Sequence, residues 1–298
     1  MTIDFTGRVA IVTGAGGGLG RQHALALAAR GAKVVVNDLT PDGPGAPSAA
    51  AVVAEITAAG GTAMASSASV TDEAAVAAMV RQALDAWGRI DILVNNAGIL
   101  RDKSFSKMTM ADFRLVLDVH VMGAALCTQA VWAPMRAQKY GRIVMTSSSS
   151  GLWGNFGQAN YGAAKMALVG LMQTLSIEGA KDGIRVNCLA PTAATRMTEG
   201  LLPPPVLAML KPEAVTPGLL FLVSEDAPTR TILCAGAGTF ARAHVTLSGG
   251  LHLGAGPDAA ERVAASFEAL SDRQGDSVPD DGSAQGRNEM AKAMAAQR

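Results

Sequence analysis

The stretch "RVAIVTGAGGGLGRQHALALAARG" (residues 8–31) decides how this chain folds. "RVAIVTG" (8–14) is a short run of β-branched and apolar residues, the pattern of a strand buried on both faces. "GRQHALALAARG" (20–31) reads as a helix closed by Gly31. Between them lies "TGAGGGLG" (13–20). Glycines carry no Cβ, so the turn Gly14, Gly18, Leu19, Gly20 lets backbone amides and a helix N-terminus approach a pyrophosphate. A glycine cluster also suits a plain tight turn. Its place between a strand and a helix is what marks it as a dinucleotide turn.

Outward from this unit the pattern repeats. "KVVVND" (33–38), "TAMASSAS" (62–69), "IDILVNNAG" (90–98), "GRIVMTSSS" (141–149) and "IRVNCLAP" (184–191) read as strands, and "ARAHVTLS" (241–248) as a last one. Helical patterns fall at 50–60, 71–88, 160–183 and 213–225, with the long region 108–140 expected to hold two helices. Continuous apolar strands separated by helices predict an α/β fold. The expected form is a single-domain, Rossmann-type, doubly wound parallel sheet with helices on both faces. The expected domain covers 1–272. Residues 273–298, polar and rich in small side chains, are expected to form a tail with at most one weak helix.

Composition narrows the function classes. The 298 residues are 49% hydrophobic and 17% charged, with a formal net charge of zero. Clustered basic residues of the kind that bind nucleic acid are absent from the pattern. The N-terminus lacks a signal-peptide pattern, and no uninterrupted apolar run has the length of a membrane span. The last residues are not a peroxisomal address. Cys127, Cys188 and Cys234 are odd in number and far apart, so free thiols in a reducing compartment are expected. A cytoplasmic location follows as the default. His23, His244 and His252 lie near no Cys or carboxylate cluster with ligand spacing, so no metal is expected.

The candidate chemistry lies in two places. At the cofactor end, Asp38 closes the second strand, eighteen residues past Gly20. An acid near that separation accepts hydrogen bonds from a ribose 2′-hydroxyl and repels a 2′-phosphate, which predicts NAD rather than NADP. Asn96, Ala97 and Gly98 in "NNAG" (95–98) end another strand, where they would line the same crevice. At the chemical end, Tyr161 and Lys165 stand four apart on a helix and share a face. A phenol is a poor base at neutral pH, and a nearby ammonium is expected to lower its pKa. Ser148, thirteen residues before Tyr161, is placed to hold a substrate oxygen. Such a set suits hydride transfer between a secondary alcohol and a nicotinamide, because the hydroxyl proton must leave with the hydride. A Tyr-x-x-x-Lys pair taken alone is more often a surface helix pair.

These motifs occur in one order: TGxxxGxG, the strand-end acid, NNAG, Ser-x12-Tyr-x3-Lys, and "AP" (190–191) after a strand. On them the chain resembles the short-chain dehydrogenase/reductase family over roughly residues 5–250. "NNAGILRDKSF", "DVHVMGA", "YGRIVMTSSSSGLWGNFGQANYGAAK" and "APTAATRMTE" further resemble the (3R)-hydroxyacyl-CoA dehydrogenase domains of peroxisomal multifunctional enzymes of type 2. That group is also described as 17β-hydroxysteroid dehydrogenases. The resemblance implies NAD-linked oxidation of a 3-hydroxyacyl-CoA, fatty or steroid-derived, to the 3-ketoacyl-CoA. It makes Tyr161 the general base, Lys165 its pKa partner and a ribose ligand, and Ser148 the donor to the substrate oxygen. It places Asn96, the glycine turn and Asp38 on the cofactor, Pro191 through Ala194 and Thr195 beside the nicotinamide, and Ser69 and Val70 near the adenine. Most family members have an acid where Ser69 stands. His120 occupies a position that is usually Asn in the wider family; it either holds a relay water or tunes Lys165, or is simply satisfied by a backbone carbonyl.

Trp153 and Phe156 either wall the substrate pocket or pack their loop onto the domain. Residues 192–215 are expected to form a lid, or else a subunit contact. The helices at 108–140 and 160–183 would pair across a two-fold axis in a homodimer or homotetramer. Arg101, Lys103 and Lys107 are scattered candidates for coenzyme A phosphates. Free 17β-hydroxysteroids are the alternative substrates. A non-catalytic nucleotide-binding scaffold is the alternative class, and it would be expected to have lost Tyr161, Lys165 or Ser148.

Overall fold

Alternating strand and helix signals build one sheet. The computed structural model describes residues 2–39, 48–194 and 203–297. Eight strands are named β1 (Val9–Thr13), β2 (Lys33–Asn37), β3 (Thr62–Ser66), β4 (Ile92–Asn95), β5 (Gly141–Thr146), β6 (Ile184–Thr192), β7 (Ile232–Gly236) and β8 (Thr239–Ala243). They lie in the order β3-β2-β1-β4-β5-β6-β7-β8. Neighbours from β3 to β7 are parallel, in registers such as Ile11 with Val35 and Leu93. β8 departs from this pattern. Ala237 and Gly238 both have positive φ, 49° and 74°, the turn that folds adjacent strands into a hairpin. The strand expected at 241–248 is this shifted β8, and β7 was not foreseen. Its glycine-interrupted run, "ILCAG" (232–236), has little strand pattern of its own.

Helices cover both faces of the sheet: α1 (Gly18–Ala28), α2 (Ala49–Ala58), α3 (Glu73–Trp87), α4 (Met110–Leu117), α5 (Gly123–Gln138), α6 (Ser149–Trp153), α7 (Ala159–Gly179), α8 (Pro204–Met209) and α9 (Thr216–Leu222). The inner strands are apolar along their length because both faces are covered. Ile11, Val35, Leu93, Ile143 and Val186 are fully buried, and each such side chain stabilises the fold by about 1.5–3 kcal/mol. The region 108–140 holds α4 and α5, joined without a break through a π-helical turn, Asp118–Met122. Met110–Gln138 is long and apolar enough to cross a membrane by length and composition. It carries Asp112, Arg114 and Asp118 and packs on β4, β5, α3 and α7, as a core-facing helix does.

Contacts divide the chain into two units, Met1–Arg242 and Ala243–Arg298. The second contains α10 (Ala259–Ala265), α11 (Phe267–Leu270) and α12 (Ser283–Ala295), so the polar stretch from 273 includes a full helix. Within this unit Leu247 and Ser277 form an antiparallel bridge.

The order of the first unit sets the place of the site. The chain winds from β1 out to β3, then returns to β4 on the other side of β1. Ligands of such sheets bind where the winding reverses, at the carboxyl ends of the strands. Thr13, Asn37, Asn95 and Thr146 mark those ends. The opposite end of the sheet is closed by charge. Buried Asp91 accepts hydrogen bonds from Arg8 (3.1 Å), Arg89 (2.6 and 2.8 Å) and the Val9 amide (2.9 Å). The guanidiniums of Arg8 and Arg142 lie 3.8 and 4.1 Å from the Tyr140 ring centre.

Candidate active site

The glycine turn is held by side chains from three strand ends. Gly14 (φ 62°) and Gly18 (φ 52°) take the left-handed conformation, which favours glycine. A Cβ on Gly14 would lie 2.7 Å from the Ala97 Cα, and one on Gly20 would lie 2.6 Å from Asn96 Nδ2. The Asn96 amide donates to the carbonyls of Thr13 and Gly14, both at 3.0 Å. Its donors are therefore spent on building the turn, and only its carbonyl oxygen is left for a ligand. Thr13 Oγ1 accepts from the Asn96 and Ala97 amides at 3.0 and 3.1 Å. Asn96 and Thr13 thus fasten the NNAG loop to the glycine turn.

Asp38 also contributes to the turn. Its Oδ2 accepts from the Gly16 amide at 2.7 Å, so the carboxylate is fixed beside the turn with its other oxygen uncommitted to that amide. Arg21 pairs with Glu55 and is directed there rather than at Asp38. Ser69 Oγ bonds Thr71 at 2.8 Å in the turn before α3, and Val70 is buried against Gly123. Pro191 lies near the end of β6, and the Ala194 amide donates to Leu210 at 2.5 Å. Thr195, with the rest of 195–202, lies outside the described residues, which leaves only part of the expected lid in view. In that part, α8 follows Pro203.

The Ser, Tyr and Lys predicted from spacing come together. β5 ends at Thr146, and Ser148 is the N-cap of α6, its Oγ accepting from the Ser150 amide at 3.2 Å. α6 then packs on α7 through glycine. A Cβ on Gly151 would lie 2.6 Å from Lys165 Cβ, and one on Gly162 would lie 3.0 Å from the Ser150 carbonyl. This crossing sets the Ser148 hydroxyl beside Tyr161, close enough to favour ionisation of the phenol. Lys165 is buried; its Nζ donates to the Thr146 carbonyl at 2.6 Å and lies 5.4 Å from the Tyr161 ring centre.

The electrostatics differ from the sequence expectation. Burial raises the Tyr161 phenol above its ordinary value, and the Ser148 hydroxyl offsets part of this. Burial also lowers Lys165 to about 7. The expected lowering of the phenol by the ammonium is absent because both groups have left water, which disfavours each charged form. His120 is pushed down to about 3, first by burial and then by the charge of Lys165, so its ring is neutral. Its Nε2 lies 2.8 Å from the Ile99 carbonyl, as in the backbone-satisfied reading. The ring meets Tyr161 edge-on, 5.3 Å between centres at 86°.

The family model for short chain dehydrogenases matches residues 8–203. The chain belongs to the short-chain dehydrogenase family. This dehydrogenase is 49% identical over 258 residues to peroxisomal multifunctional enzyme A of Dictyostelium discoideum, covering 85% of this chain and 58% of that one. It is 44% identical over 229 residues to a 3-oxoacyl-[acyl-carrier-protein] reductase of Synechocystis sp., covering 74% and 91%. The structure of full-length peroxisomal multifunctional enzyme type 2 from Drosophila melanogaster superposes with a TM-score of 0.83 at 38% identity. That match covers 99% of this chain and 51% of the other. The dehydrogenase therefore spans little more than half the length of these multifunctional relatives.

Sequence reasoning missed several groups that shape the site of this dehydrogenase. Buried Asn160 accepts from the Tyr161 amide (2.7 Å) and donates to the Arg101 carbonyl (3.0 Å), joining the loop after NNAG to α7. Its position beside Tyr161 was the only signal available. The Thr146 carbonyl carries none, being backbone. Trp153 and Phe156 are 69% and 91% exposed, so they do not pack their loop onto the domain.

Proposed function

We propose that the chain is an NAD-dependent 3-hydroxyacyl thioester dehydrogenase, acting on the 3R epimer of an acyl-CoA. The observation that carries this reading is the joint placement of Ser148, Tyr161 and Lys165 at the carboxyl end of the sheet, on the same crevice as Asp38 and the glycine turn. The residues fit a dinucleotide: Gly14, Gly18 and Gly20 leave room for a pyrophosphate at the start of α1, and Asp38 stands where a ribose hydroxyl would donate. Arg21, paired with Glu55, offers no ready partner to a 2′-phosphate. The acyl thioester class is supported by the two named relatives, one multifunctional and peroxisomal, the other a 3-oxoacyl reductase.

The bound nicotinamide would supply the hydride acceptor. Ser148 would hold the substrate C3 oxygen by a hydrogen bond. Tyr161 would take the hydroxyl proton as the C3–H bond electrons leave with the hydride, giving the C3 ketone. Lys165, anchored on the Thr146 carbonyl, would in its ammonium form stabilise the phenolate that accepts the hydroxyl proton. Trp153 and Phe156, free of the domain, would close over the acyl chain. A cytoplasmic location is part of this proposal, supported by three free cysteines. A homodimer or homotetramer is proposed through the helical regions 108–140 and 160–183, where Leu115 of α4, Met122 of the π-helical turn and Met166 and Ile177 of α7 are exposed.

The test is reduced-nicotinamide formation with purified protein, NAD and one of three substrates: a 3R-hydroxyacyl-CoA, its 3S epimer or a 17β-hydroxysteroid. The 3R thioester should turn over fastest, and Tyr161→Phe should abolish turnover while leaving NAD binding nearly intact. Turnover of the steroid alone would overturn the substrate class. Activity retained in Tyr161→Phe would overturn the assignment of the base.

A further inference from the structure

Behind the crevice lies a cavity of about 10 Å³, lined by Thr13, Val70, Asn95, His120, Gly123 and Leu168 among others. Ser148, Tyr161 and Lys165 do not line it. Asn95 Oδ1 and His120 Nδ1 are buried polar atoms with no partner among the described residues, and both side chains reach this cavity. Their residues are 6% and 3% exposed. Thr13 Oγ1 is already saturated, since it accepts from the Asn96 and Ala97 amides and donates to the Val94 carbonyl. Leaving a buried polar atom unpaired is costly, so two around one cavity point to a ligand.

The donor and acceptor roles narrow its chemistry. Asn95 Nδ2 donates to Thr128 Oγ1 at 3.0 Å, which leaves Oδ1 as the acceptor without a donor. His120 Nε2 lies closer to the Ile99 carbonyl (2.8 Å) than to the Ile99 amide (3.1 Å). The proton therefore belongs on Nε2, and Nδ1 presents a bare lone pair. Two acceptors cannot bond each other, and the smallest molecule that donates twice is water. A space of about 10 Å³ is the lower limit for one water and excludes anything larger.

We propose that one buried water donates to both Asn95 Oδ1 and His120 Nδ1, and that it holds His120 as the Nε2–H tautomer. Asn95 and His120 then act as positioning residues for Tyr161. The imidazole is held by the Ile99 carbonyl on one side and by the water on another, and it stands edge-on to the phenol ring. Gly98 closes over the same ring, with no room for a Cβ beside it. The positioning role rests on Tyr161 as the proton acceptor; the water site does not.

Nitrogen NMR of histidine-labelled wild-type protein with NAD bound tests the site without reference to activity. His120 should appear as a neutral Nε2–H ring across pH 5–8. The Nδ1–H tautomer, or titration near the ordinary value, would overturn the proposal. High-resolution diffraction should show one water within hydrogen-bond distance of both atoms; direct Asn95–His120 contact would overturn it. The kinetic test is a cycle. His120→Asn can serve both the Ile99 carbonyl and its amide and has no imidazole Nδ1 to satisfy. Asn95→Leu should lower kcat about fivefold in the wild-type chain, a typical net hydrogen bond, with KM for NAD unchanged. In the His120→Asn chain the same change should cost nothing further. Equal losses in both backgrounds would show a merely structural asparagine and sink the positioning role.

Discussion

Two side chains carry residue-scale consequences. Asp38 both faces the expected ribose and accepts from Gly16. Asp38→Ala should therefore do two things: raise KM for NAD by about tenfold, as loss of a charged hydrogen bond does, and weaken discrimination against NADP. Steady-state kinetics with both nucleotides would check this, and an unchanged preference would remove Asp38 from the ribose. Tyr161 is the second. Its phenol is raised by burial, so at neutral pH it is protonated and poised as a donor. Alcohol oxidation needs the deprotonated form and should speed up as pH rises, while ketone reduction should slow. Rate profiles in the two directions should therefore slope oppositely. The joint placement of Tyr161, Lys165 and Ser148 was legible in the sequence because their spacing is local. The sequence did not reveal the burial of Lys165 or the pairing of Arg21 with Glu55, because both depend on residues far away in the chain.

At the scale of elements, the crossing of α6 on α7 decides whether Ser148 meets Tyr161. Gly151 permits it: a Cβ there would lie 2.6 Å from Lys165 Cβ and 2.9 Å from its carbonyl carbon. Gly151→Ala should push the helices apart, destabilising the fold by about 1–3 kcal/mol as overpacking does. Its kcat should fall further than the loss of folded protein explains. Comparing the urea midpoint with kcat per folded molecule separates the two effects; normal kcat would mean that Ser148 does not depend on this crossing. Neither α6 nor the π-helical turn at His120 was expected. A five-residue helix is too short to display a period, and "SSSSGLW" (147–153) reads as a loop by composition. The π turn was hidden for the opposite reason: the apolar pattern of 108–140 runs straight through it.

For the whole molecule, a doubly wound parallel sheet was readable because strands covered on both faces must be apolar throughout. The terminal hairpin was not, since β7 and β8 are only five residues each and β7 ends in Gly236. A global property follows from two histidines. Burial lowers both His23 and His120 from 6.5 to about 3. Well above pH 6.5 neither state is protonated at these sites, and stability is unaffected. As pH falls from 6.5 towards 3 the unfolded chain binds protons that the folded chain refuses, and stability is lost. Each histidine contributes up to about 1.4 kcal/mol per pH unit. Urea midpoints between pH 6.5 and 5 should fall with an uptake approaching two protons per chain; a flat profile would mean that both rings are protonated in place.

Gly98 and His120 share one small space, and its consequence is evolutionary. With the imidazole seated there, a Cβ at 98 has nowhere to go. The two positions therefore cannot drift independently. Across descendants of this chain, any side chain gained at 98 should appear only in lineages where 120 has already shrunk. Lineages that keep the imidazole should stay fixed at glycine, a pairwise constraint that an alignment of relatives would expose without a single assay.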